Sequence, residues 1–389
     1  MYLSQQTELN TFIEEIKDTK ILALDTEFLR ERTYDAKLCL IQIATEDRHA
    51  IIDPIAIKNL QPLVRLLENP DITKIFHAFQ QDVEILRNHL ACKINSVFDT
   101  QIAASLLSTN YQVSYASLVS LYFGVHLSKT DTFTDWSKRP LTESQMKYAA
   151  DDVTYLPEIF KKQNEELRSK NRFSWFEGEM KQACEKSMQI KQPIDAYKKL
   201  KKVNQLSNKQ MLAAREFAAW REIYAKKCDR PRKWILRDEQ IIEACKREAK
   251  TLDELFMVRG ISDRLNTAEA REALKAINRG LKSTSNEVLS VDKKQVIETS
   301  VEHAVELMNV LVKKKAREIG VASLTLASQQ DLVKLARGQV DGCEVLLDWR
   351  RKIIGEDLIQ LLKGNLAIKI EDEKIVVFEI DSNERNWQE

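Results

Sequence analysis

ILALDTEFLRERTYDAKLCLIQIAT, residues 21–45, begins as an apolar strand and then places Asp25 and Glu27 where a buried strand would stay apolar. Alternation along a strand directs residues i and i+2 to the same face, so both side chains point the same way if the strand continues through them. Two buried like charges require a partner, and a divalent cation that prefers carboxylate oxygens is one. A strand end that emerges into solvent is the alternative, and this stretch alone leaves both interpretations open.

Length and composition indicate a compact protein of several domains. The 389 residues predict two or three domains at roughly 100–200 residues each. A content of 43% hydrophobic and 31% charged residues favours a soluble, helix-rich chain over a disordered one. No apolar run approaches the length of a membrane span, and the N-terminus lacks a signal peptide pattern, so we expect a cytoplasmic protein without a membrane partner. Scattered cysteines fit neither a zinc knuckle nor a C-x-x-C redox pair.

Charge divides the chain into two parts. Residues 1–195 carry 23 Lys/Arg against 28 Asp/Glu, whereas residues 196–389 carry 37 against 31. Residues 196–250 alone hold 16 basic and 7 acidic residues and include CDRPRKWILR, residues 228–237, which we call the basic segment. A solvated helix face is one explanation of such a run. A basic part beside an acidic part more often indicates an anionic polymer as partner.

Hydrophobic periodicity supports the same division. Strand-like runs alternate with helical patterns through about residue 110, which is typical of an α/β domain, and helical periods dominate from about residue 140. Residues 191–202 are the candidate linker, and a second boundary is expected near residues 280–294. Residues 225–246 align without a gap over residues 316–337, an offset of 91, which indicates a tandem pair of helical units. Only the C-terminal tail returns to strand-like runs.

Further carboxylates lie in two predicted helices of the first part. Asp82 follows a strand and falls in the first turn of a helix, where a plain helix-start carboxylate is the alternative. Residues 141–160 open with a capping signal and continue as a helix to Pro157. On that helix Tyr148 and Asp152 stand four apart and share a face, while Asp151 at i+3 lies close to it. Spacing alone does not select between the two aspartates.

These residues resemble the motifs of the ribonuclease D family, tyrosine-containing members of the DEDD superfamily of 3′→5′ exonucleases. D-T-E-F at residues 25–28 resembles the first motif, Asp82 the second and Y-A-A-D-D at residues 148–152 the third. The Y-x-x-x-D spacing of the family selects Asp152. Residues 216–239 resemble a first HRDC (helicase and RNase D C-terminal) module, and residues 346–364 resemble part of a second, less typical one. The strand-like tail is a departure from the family pattern.

The resemblance implies a fold and an activity. It implies an α/β exonuclease domain with a ribonuclease H-like mixed sheet and flanking helices, followed by two all-α helical modules. The expected divisions are residues 1–195, 203–284, 292–368 and a tail at 369–389. The implied activity is that of a monomeric 3′→5′ exoribonuclease that matures tRNA precursors and releases 5′-mononucleotides. A DNA-directed exonuclease and a non-catalytic RNA-binding protein are the alternatives.

The resemblance also implies roles for particular residues. Two divalent ions, Mg²⁺ or Mn²⁺, are expected on Asp25, Glu27, Asp82 and Asp152, with Tyr148 orienting the attacking water. Phe28 is a candidate for stacking on the terminal base or for the core. His77 is expected to be a hydrogen-bonded core histidine rather than a site residue. In the basic segment, the RNA-binding candidates are Arg230, Arg232, Lys233, Arg237 and Trp234, of which Trp234 is alternatively an anchor of its own module's core.

Overall fold

The structure, a computed structural model, describes residues 1–127, 134–189, 192–283, 289 and 298–380. Among these residues no helix is both long and apolar enough to cross a membrane. The boundary expected near residues 280–294 falls largely outside the described residues. In the described part of the candidate linker, Pro193–Lys199 form a 3-10 helix, and Tyr197 and Leu200 are buried in the core of the following helices.

A mixed sheet organises the N-terminal part. Its strand order is β1-β4-β3-β2-β5-β6, in which β2, β3 and β4 pair antiparallel, and the β1–β4, β2–β5 and β5–β6 pairs are parallel. The central strands coincide with the predicted apolar runs. The strands are β1 (Tyr2–Leu3), β2 (Ile21–Leu29), β3 (Lys37–Ala44), β4 (His49–Ile52), β5 (Thr73–Phe76) and β6 (Val97–Asp99).

Helices cover both faces of this sheet. On one face Leu22 and Leu24 of β2 pack with apolar residues of α1, α2 and α3, the helices at Gln6–Ile16, Gln61–Glu68 and Gln80–Leu90. On the other face Ala23 packs with Val153. The alternation of β2 therefore directs Ala23, and with it Asp25 and Glu27, toward the second helical layer. The remaining helices here are α4 (Thr100–Leu107), α5 (Tyr115–Phe123), α6 (Glu143–Thr154), α7 (Leu156–Ser169) and α8 (Phe173–Met188).

The C-terminal part contains the predicted helical repeat. Helices α9 (Asn208–Lys227), α10 (Arg232–Ile235) and α11 (Asp238–Lys246) begin 91 residues before α14 (Thr299–Ile319), α15 (Ser323–Leu326) and α16 (Gln329–Ala336). The offset predicted from sequence is therefore confirmed at three successive helix starts. Each set buries its own apolar cluster. The other helices are α12 (Leu252–Phe256), α13 (Thr267–Leu281), α17 (Asp348–Arg350) and α18 (Glu356–Leu362), the last two joined by a π-helical segment, Arg351–Gly355.

A C-terminal hairpin confirms the strand-like character of the tail. Strands β7 (Leu366–Glu371) and β8 (Lys374–Glu379) pair antiparallel through a turn at Asp372 and Glu373, whose φ values are 48° and 62°. Positive φ at both central residues is the geometry that a tight hairpin requires. Ile368 and Val377 pack against the apolar cluster of α14–α18, so the hairpin spans the expected boundary between residues 368 and 369 and adds to that core.

Buried charged contacts join the second repeat unit to the N-terminal part. Arg350 donates two hydrogen bonds to the Glu179 carboxylate, at 2.6 and 2.7 Å, and Trp175 stacks on Trp349 with ring centroids 4.3 Å apart. Arg172, which is buried, donates to the carbonyl oxygen of Leu106 at 2.6 Å and to carbonyls at the end of α14. Breaking a buried ion pair by removing one partner costs about 3–5 kcal/mol. The helical modules are therefore packed parts of the molecule.

Candidate active site

Strand β2 carries Asp25 and Glu27 on the face that α6 covers. In the antiparallel pair with β3, Asp25 lies opposite Gln42 and Glu27 lies opposite Leu40. Opposed residues in such a pair share a face of the sheet. The pairing shifts register only after Glu27, between that residue and Phe28. Asp25 and Glu27 therefore point the same way within one continuous strand, as the sequence predicts.

Helix α6 brings the third-motif residues to that face. It begins with the predicted capping box, in which the side chains of Thr142 and Gln145 each accept a hydrogen bond from the backbone of the other. Ala149 and Val153 are fully buried and pack against the sheet. The helix ends at Thr154 rather than continuing to the proline at 157, and Tyr155 separates it from α7, which begins at Leu156. The caps fix both the start and the rotation of α6.

Asp152 joins the two carboxylates of β2. Oxygen atoms from Asp25, Glu27 and Asp152 lie within 4.8 Å of one another, and we call these three residues the carboxylate cluster. Asp151 lies outside this cluster, with Lys147 and His49 as its charged neighbours, although its own charge helps to raise the pKa of Asp152. The orientation of α6 thus places Asp152 in the carboxylate cluster and Asp151 outside it, a choice that helical spacing alone could not make.

Asp82 lies beside the carboxylate cluster, at the N-terminal end of α3. Its side chain is buried, and one carboxylate oxygen accepts a hydrogen bond from the hydroxyl of Thr26 at 2.5 Å. The helix begins at Gln80, slightly earlier than expected. Thr26 was not identified from the sequence as a partner of Asp82. Its position between Asp25 and Glu27 on β2 was the available signal, because alternation directs its side chain toward the opposite helical layer.

Burial and mutual repulsion raise the pKa of every carboxyl in this region. Burial raises the pKa of Glu27 to about 8, with the charges of Asp152 and Asp82 adding to the effect. Burial likewise raises the pKa of Asp152 to about 7, and that of Asp82 to about 6 despite the opposing hydrogen bond from Thr26. The pKa of Asp25 lies well above its usual value, because of burial and then the neighbouring acids. A bound cation would relieve this repulsion.

Tyr148 lies half-buried on α6, one turn before Asp152. Its ring lies 5.9 Å from the ring of Trp136, which is itself buried. Both belong to the apolar group that contains Leu40 and Ala149. The aromatic ring therefore packs on the sheet, and the four-residue spacing places Tyr148 and Asp152 on the same face of α6.

His77 has the hydrogen bond expected of a core histidine. Its Nδ1 lies 2.9 Å from the hydroxyl oxygen of Thr100, and its ring lies 5.8 Å from that of Tyr115. The Tyr115 hydroxyl donates to the Asp151 carbonyl oxygen at 2.9 Å and accepts from the Tyr155 amide at 3.2 Å. Tyr115 therefore ties α5 to the end of α6, a positioning contact that the sequence did not indicate.

Phe28 lies partly buried at the register shift that follows Glu27. Its ring packs against the large apolar core of the sheet, and the guanidinium carbon of Arg30 lies 5.6 Å from the ring centroid. Part of the ring remains accessible, so the residue serves the core without losing a surface on which a base could stack.

The basic segment lies on the surface of the first helical unit. The side chains of Arg230, Lys233 and Arg237 are exposed. Trp234 is 55% exposed, so the alternative that it anchors the core of its module is wrong. Arg264 donates hydrogen bonds to the carbonyl oxygens of Lys233 and Trp234, at 2.8 and 3.0 Å, which hold this short helix in place with its indole outward.

Arg232 makes an internal contact that sequence reasoning missed. Its guanidinium pairs with Glu222 at 3.2 Å and lies 5.4 Å from the ring centroid of Tyr34. Tyr34, in the loop between β2 and β3, donates its hydroxyl to Glu222 at 2.9 Å and its backbone N–H to Asp229 at 3.0 Å. The loop that follows β2 is thereby fastened to the first helical unit, and Arg232 is engaged in that contact.

Comparisons with known proteins agree with this geometry. A family profile described as 3'-5' exonuclease matches residues 1–168, and an HRDC domain profile matches residues 210–277. Ribonuclease D of Jannaschia sp. is 35% identical over 379 residues, which cover 96% of this chain and 98% of the relative. Ribonuclease D of Sphingobium indicum is 33% identical over 377 residues, or 96% and 97% of the two chains.

A solved structure shares the whole architecture. The crystal structure of Escherichia coli RNase D, described as an exoribonuclease involved in structured RNA processing, superposes with a TM-score of 0.80 at 27% identity. The match covers 94% of this chain and 98% of that one. Both the mixed-sheet domain and the appended helices are therefore shared along nearly the full length. With the sequence relatives, this establishes that the chain belongs to the ribonuclease D family of 3′→5′ exoribonucleases.

Proposed function

We propose that this exoribonuclease trims the 3′ ends of structured RNAs, tRNA precursors in particular, by hydrolysis at two divalent ions and releases 5′-mononucleotides. The observation that carries the proposal is the carboxylate cluster, in which oxygen atoms of three partly buried acids lie within 4.8 Å of one another with Asp82 beside them. No basic side chain is among the charges that act most strongly on Asp25, Glu27 or Asp152 in the described chain.

The donor set fits hard divalent ions. Asp25, Glu27, Asp82 and Asp152 offer only carboxylate oxygens, the ligands that Mg²⁺ and Mn²⁺ prefer. Burial, and then neighbouring acids, raise the pKa values of these carboxyls, and a bound cation would favour their ionised forms. Exonucleases of this superfamily depend on metal ions. In our proposal the four residues hold two ions, which supply an activated water and offset the charge on the leaving 3′-oxygen.

The chain's own residues contribute orientation and binding. The hydroxyl of Tyr148 orients the attacking water and handles its proton, since its ring is fixed against Trp136 while the four-residue spacing aligns it with Asp152. Phe28 offers the exposed part of its ring to the terminal base. Thr26 holds Asp82 in place through its hydroxyl. Water positioning and ligand positioning thus fall to different side chains.

The helical units supply the RNA-anchoring surface in this proposal. The exposed charges of the basic segment suit a phosphate backbone, and the E. coli relative is described as acting in structured RNA processing. We assign catalysis to residues 1–195 and anchoring to the helical units, with 203–284 and 292–368 as the divisions. We place the enzyme in the cytoplasm as a monomer. A DNA-directed exonuclease is the outcome to test against, because terminal phosphodiester chemistry does not distinguish the sugars.

The test compares 3′-labelled RNA and DNA, single-stranded and tRNA-like, in Mg²⁺, in Mn²⁺ and in EDTA. We expect mononucleotide release from RNA that requires metal and that Asp25→Asn abolishes, with folding and RNA binding retained. Asp18→Asn, which changes an exposed carboxylate of the same domain, is the matched control and should leave turnover unchanged. Near-normal turnover of Asp25→Asn at saturating Mg²⁺ would refute the metal assignment, and preferential release from DNA would refute the substrate assignment.

A further inference from the structure

Gln42 is a fully buried glutamine whose side-chain amide is unpaired. It lies in the middle of β3, and neither its Nε2 nor its Oε1 has a hydrogen-bond partner among the described residues. A buried amide without partners destabilises a fold, because the group has lost its hydrogen bonds to water and gained none in return. A buried amide whose donor and acceptor both lack partners requires a physical explanation.

The position of Gln42 places this amide beside the carboxylate cluster. Gln42 lies directly opposite Asp25 in the β2–β3 pair, so the two side chains share a face of the sheet. On its other side it pairs with Ile51 of β4. Leu40 and Ala44, two residues away in either direction along β3, face the same layer and pack with apolar residues of α6. Gln42 is thus the polar member of an otherwise apolar stripe that borders Asp25.

The stripe itself does not need a polar residue at this position. A methionine or leucine would fill similar space and would bury no unpaired donor or acceptor. Asp25 is the polar residue directly opposite Gln42 on this face. An ionised carboxylate is the strongest acceptor available to an amide N–H in such a site. Glutamine has three side-chain torsions, so its amide can turn toward that acceptor without movement of the strand.

We propose that Gln42 is a positioning residue of the metal site: its Nε2–H donates to the carboxylate of Asp25 and orients that carboxylate for the ions. The inference rests on the metal assignment of the proposed function and adds a residue to it. Outer partners of this kind fix the direction of a ligand's lone pairs, and their loss typically lowers metal affinity by 10–100-fold. Gln42 contacts neither substrate nor ion in this role, so its effect passes through Asp25.

The experiment measures metal affinity and stability separately on the full-length protein. Mn²⁺ binding to EDTA-treated and dialysed protein is followed by calorimetry, and the melting temperature is recorded in EDTA. For Gln42→Met we expect a Mn²⁺ dissociation constant raised about 10–100-fold. In EDTA the melting temperature should equal or exceed that of the wild type, because the substitution removes an unpaired buried amide.

Gln163→Met is the matched control. Gln163 is also a fully buried glutamine on α7, and its Oε1 likewise has no partner among the described residues, but its Nε2 donates to the Thr100 carbonyl oxygen at 3.0 Å. Its replacement should lower the melting temperature and leave the Mn²⁺ dissociation constant unchanged. We therefore expect Gln42→Met to weaken Mn²⁺ binding without lowering the melting temperature, and Gln163→Met to lower the melting temperature without weakening Mn²⁺ binding.

Three outcomes would overturn the inference. Unchanged Mn²⁺ affinity in both Gln42→Met and Gln42→Leu would show that the amide does not act on the site. A lower melting temperature in EDTA, or failure of both variants to fold, would show that Gln42 supports the fold itself. If Mn²⁺ binds the wild type and Asp25→Asn equally, or binds neither, the metal assignment of the proposed function is wrong. This failure is distinguishable from the others because neither protein in that comparison carries a substitution at Gln42.

Discussion

The carboxylate cluster and the basic segment differ in where they hold their charge. In the cluster, acids from β2 and α6 lie close together in a buried layer, and their pKa values rise because burial and mutual repulsion act in the same direction. In the basic segment, Arg230, Lys233 and Arg237 project from a short helix and its flanks into solvent. Solvent screens the second group of like charges and does not screen the first.

This difference shows when a group of like charges is by itself evidence of a bound ligand. Buried acids that face one another are costly unless a cation joins them, so the arrangement points to a ligand. Exposed cations cost little, so the same clustering on a surface is compatible with several roles. Arg232 is the example, because the sequence grouped it with the RNA-binding candidates, whereas in the structure it contacts Glu222 and Tyr34 and keeps half of its side chain exposed.

The largest expected effect concerns Tyr148, which tests whether the buried region performs the chemistry. Tyr148→Phe should lower turnover by about 10²–10⁴-fold, the range for a group that handles a proton, with little change in Mn²⁺ affinity. Asp151→Asn should be nearly silent, because the charges acting on that residue are those of Lys147 and His49. Single-turnover kinetics at saturating RNA measures both. Loss of activity in Asp151→Asn together with normal activity in Asp152→Asn would reverse the assignment of the helix face.

The next effect, of intermediate size, tests whether the exposed region binds RNA. Replacing Arg230, Lys233 and Arg237 by Ala together should weaken tRNA binding and make its salt dependence shallower, by about 0.7–0.9 in slope for each phosphate that the variant no longer neutralises. Single-turnover chemistry at saturating RNA should not change. Binding titrations from low to moderate salt measure the slope.

The controls for this experiment separate surface charge from internal contact. Neutralising three exposed lysines of the exonuclease part, Lys20, Lys58 and Lys93, should leave the salt slope unchanged. Arg232→Ala is tested separately, because it also removes the contact with Tyr34. An unchanged slope in the triple variant of the basic segment would make that segment a solvated surface. Substitution in the full chain is preferable to truncation near residue 195, which would expose the apolar surface around Trp175.

The smallest expected effect is a pH dependence of stability in EDTA. The pKa of Glu27 is raised to about 8 in the folded protein, so between roughly pH 4.5 and 8 the folded state binds more protons than the unfolded state. Stability contributed by this group is therefore present below that window and is lost as pH rises through it. Urea midpoints from pH 5 to 8 should fall more steeply for the wild type than for Glu27→Gln. Parallel profiles would contradict the burial argument.

Local patterns predicted most of the elements. Apolar runs gave β2 to β5, the capping signal at Thr142 gave the start of α6, and the offset of 91 residues gave three pairs of helix starts. Boundaries were less certain, since α6 ends at Thr154 and the C-terminal hairpin crosses the expected domain boundary. These errors arise where a neighbouring element or an apolar core decides where a segment ends, and such partners are distant in sequence.

The sequence by itself determined that Asp25 and Glu27 share a face, because the period of a strand is a local property of the backbone. It also determined that Tyr148 and Asp152 share a helix face, because that period is local too. Only the tertiary structure decided how β2, α3 and α6 meet, and thus that Thr26 holds Asp82 and that Gln42 borders Asp25. It likewise decided that Arg232 contacts Tyr34 across 198 residues of chain. Contacts of this kind depend on packing between remote segments, which no local period encodes.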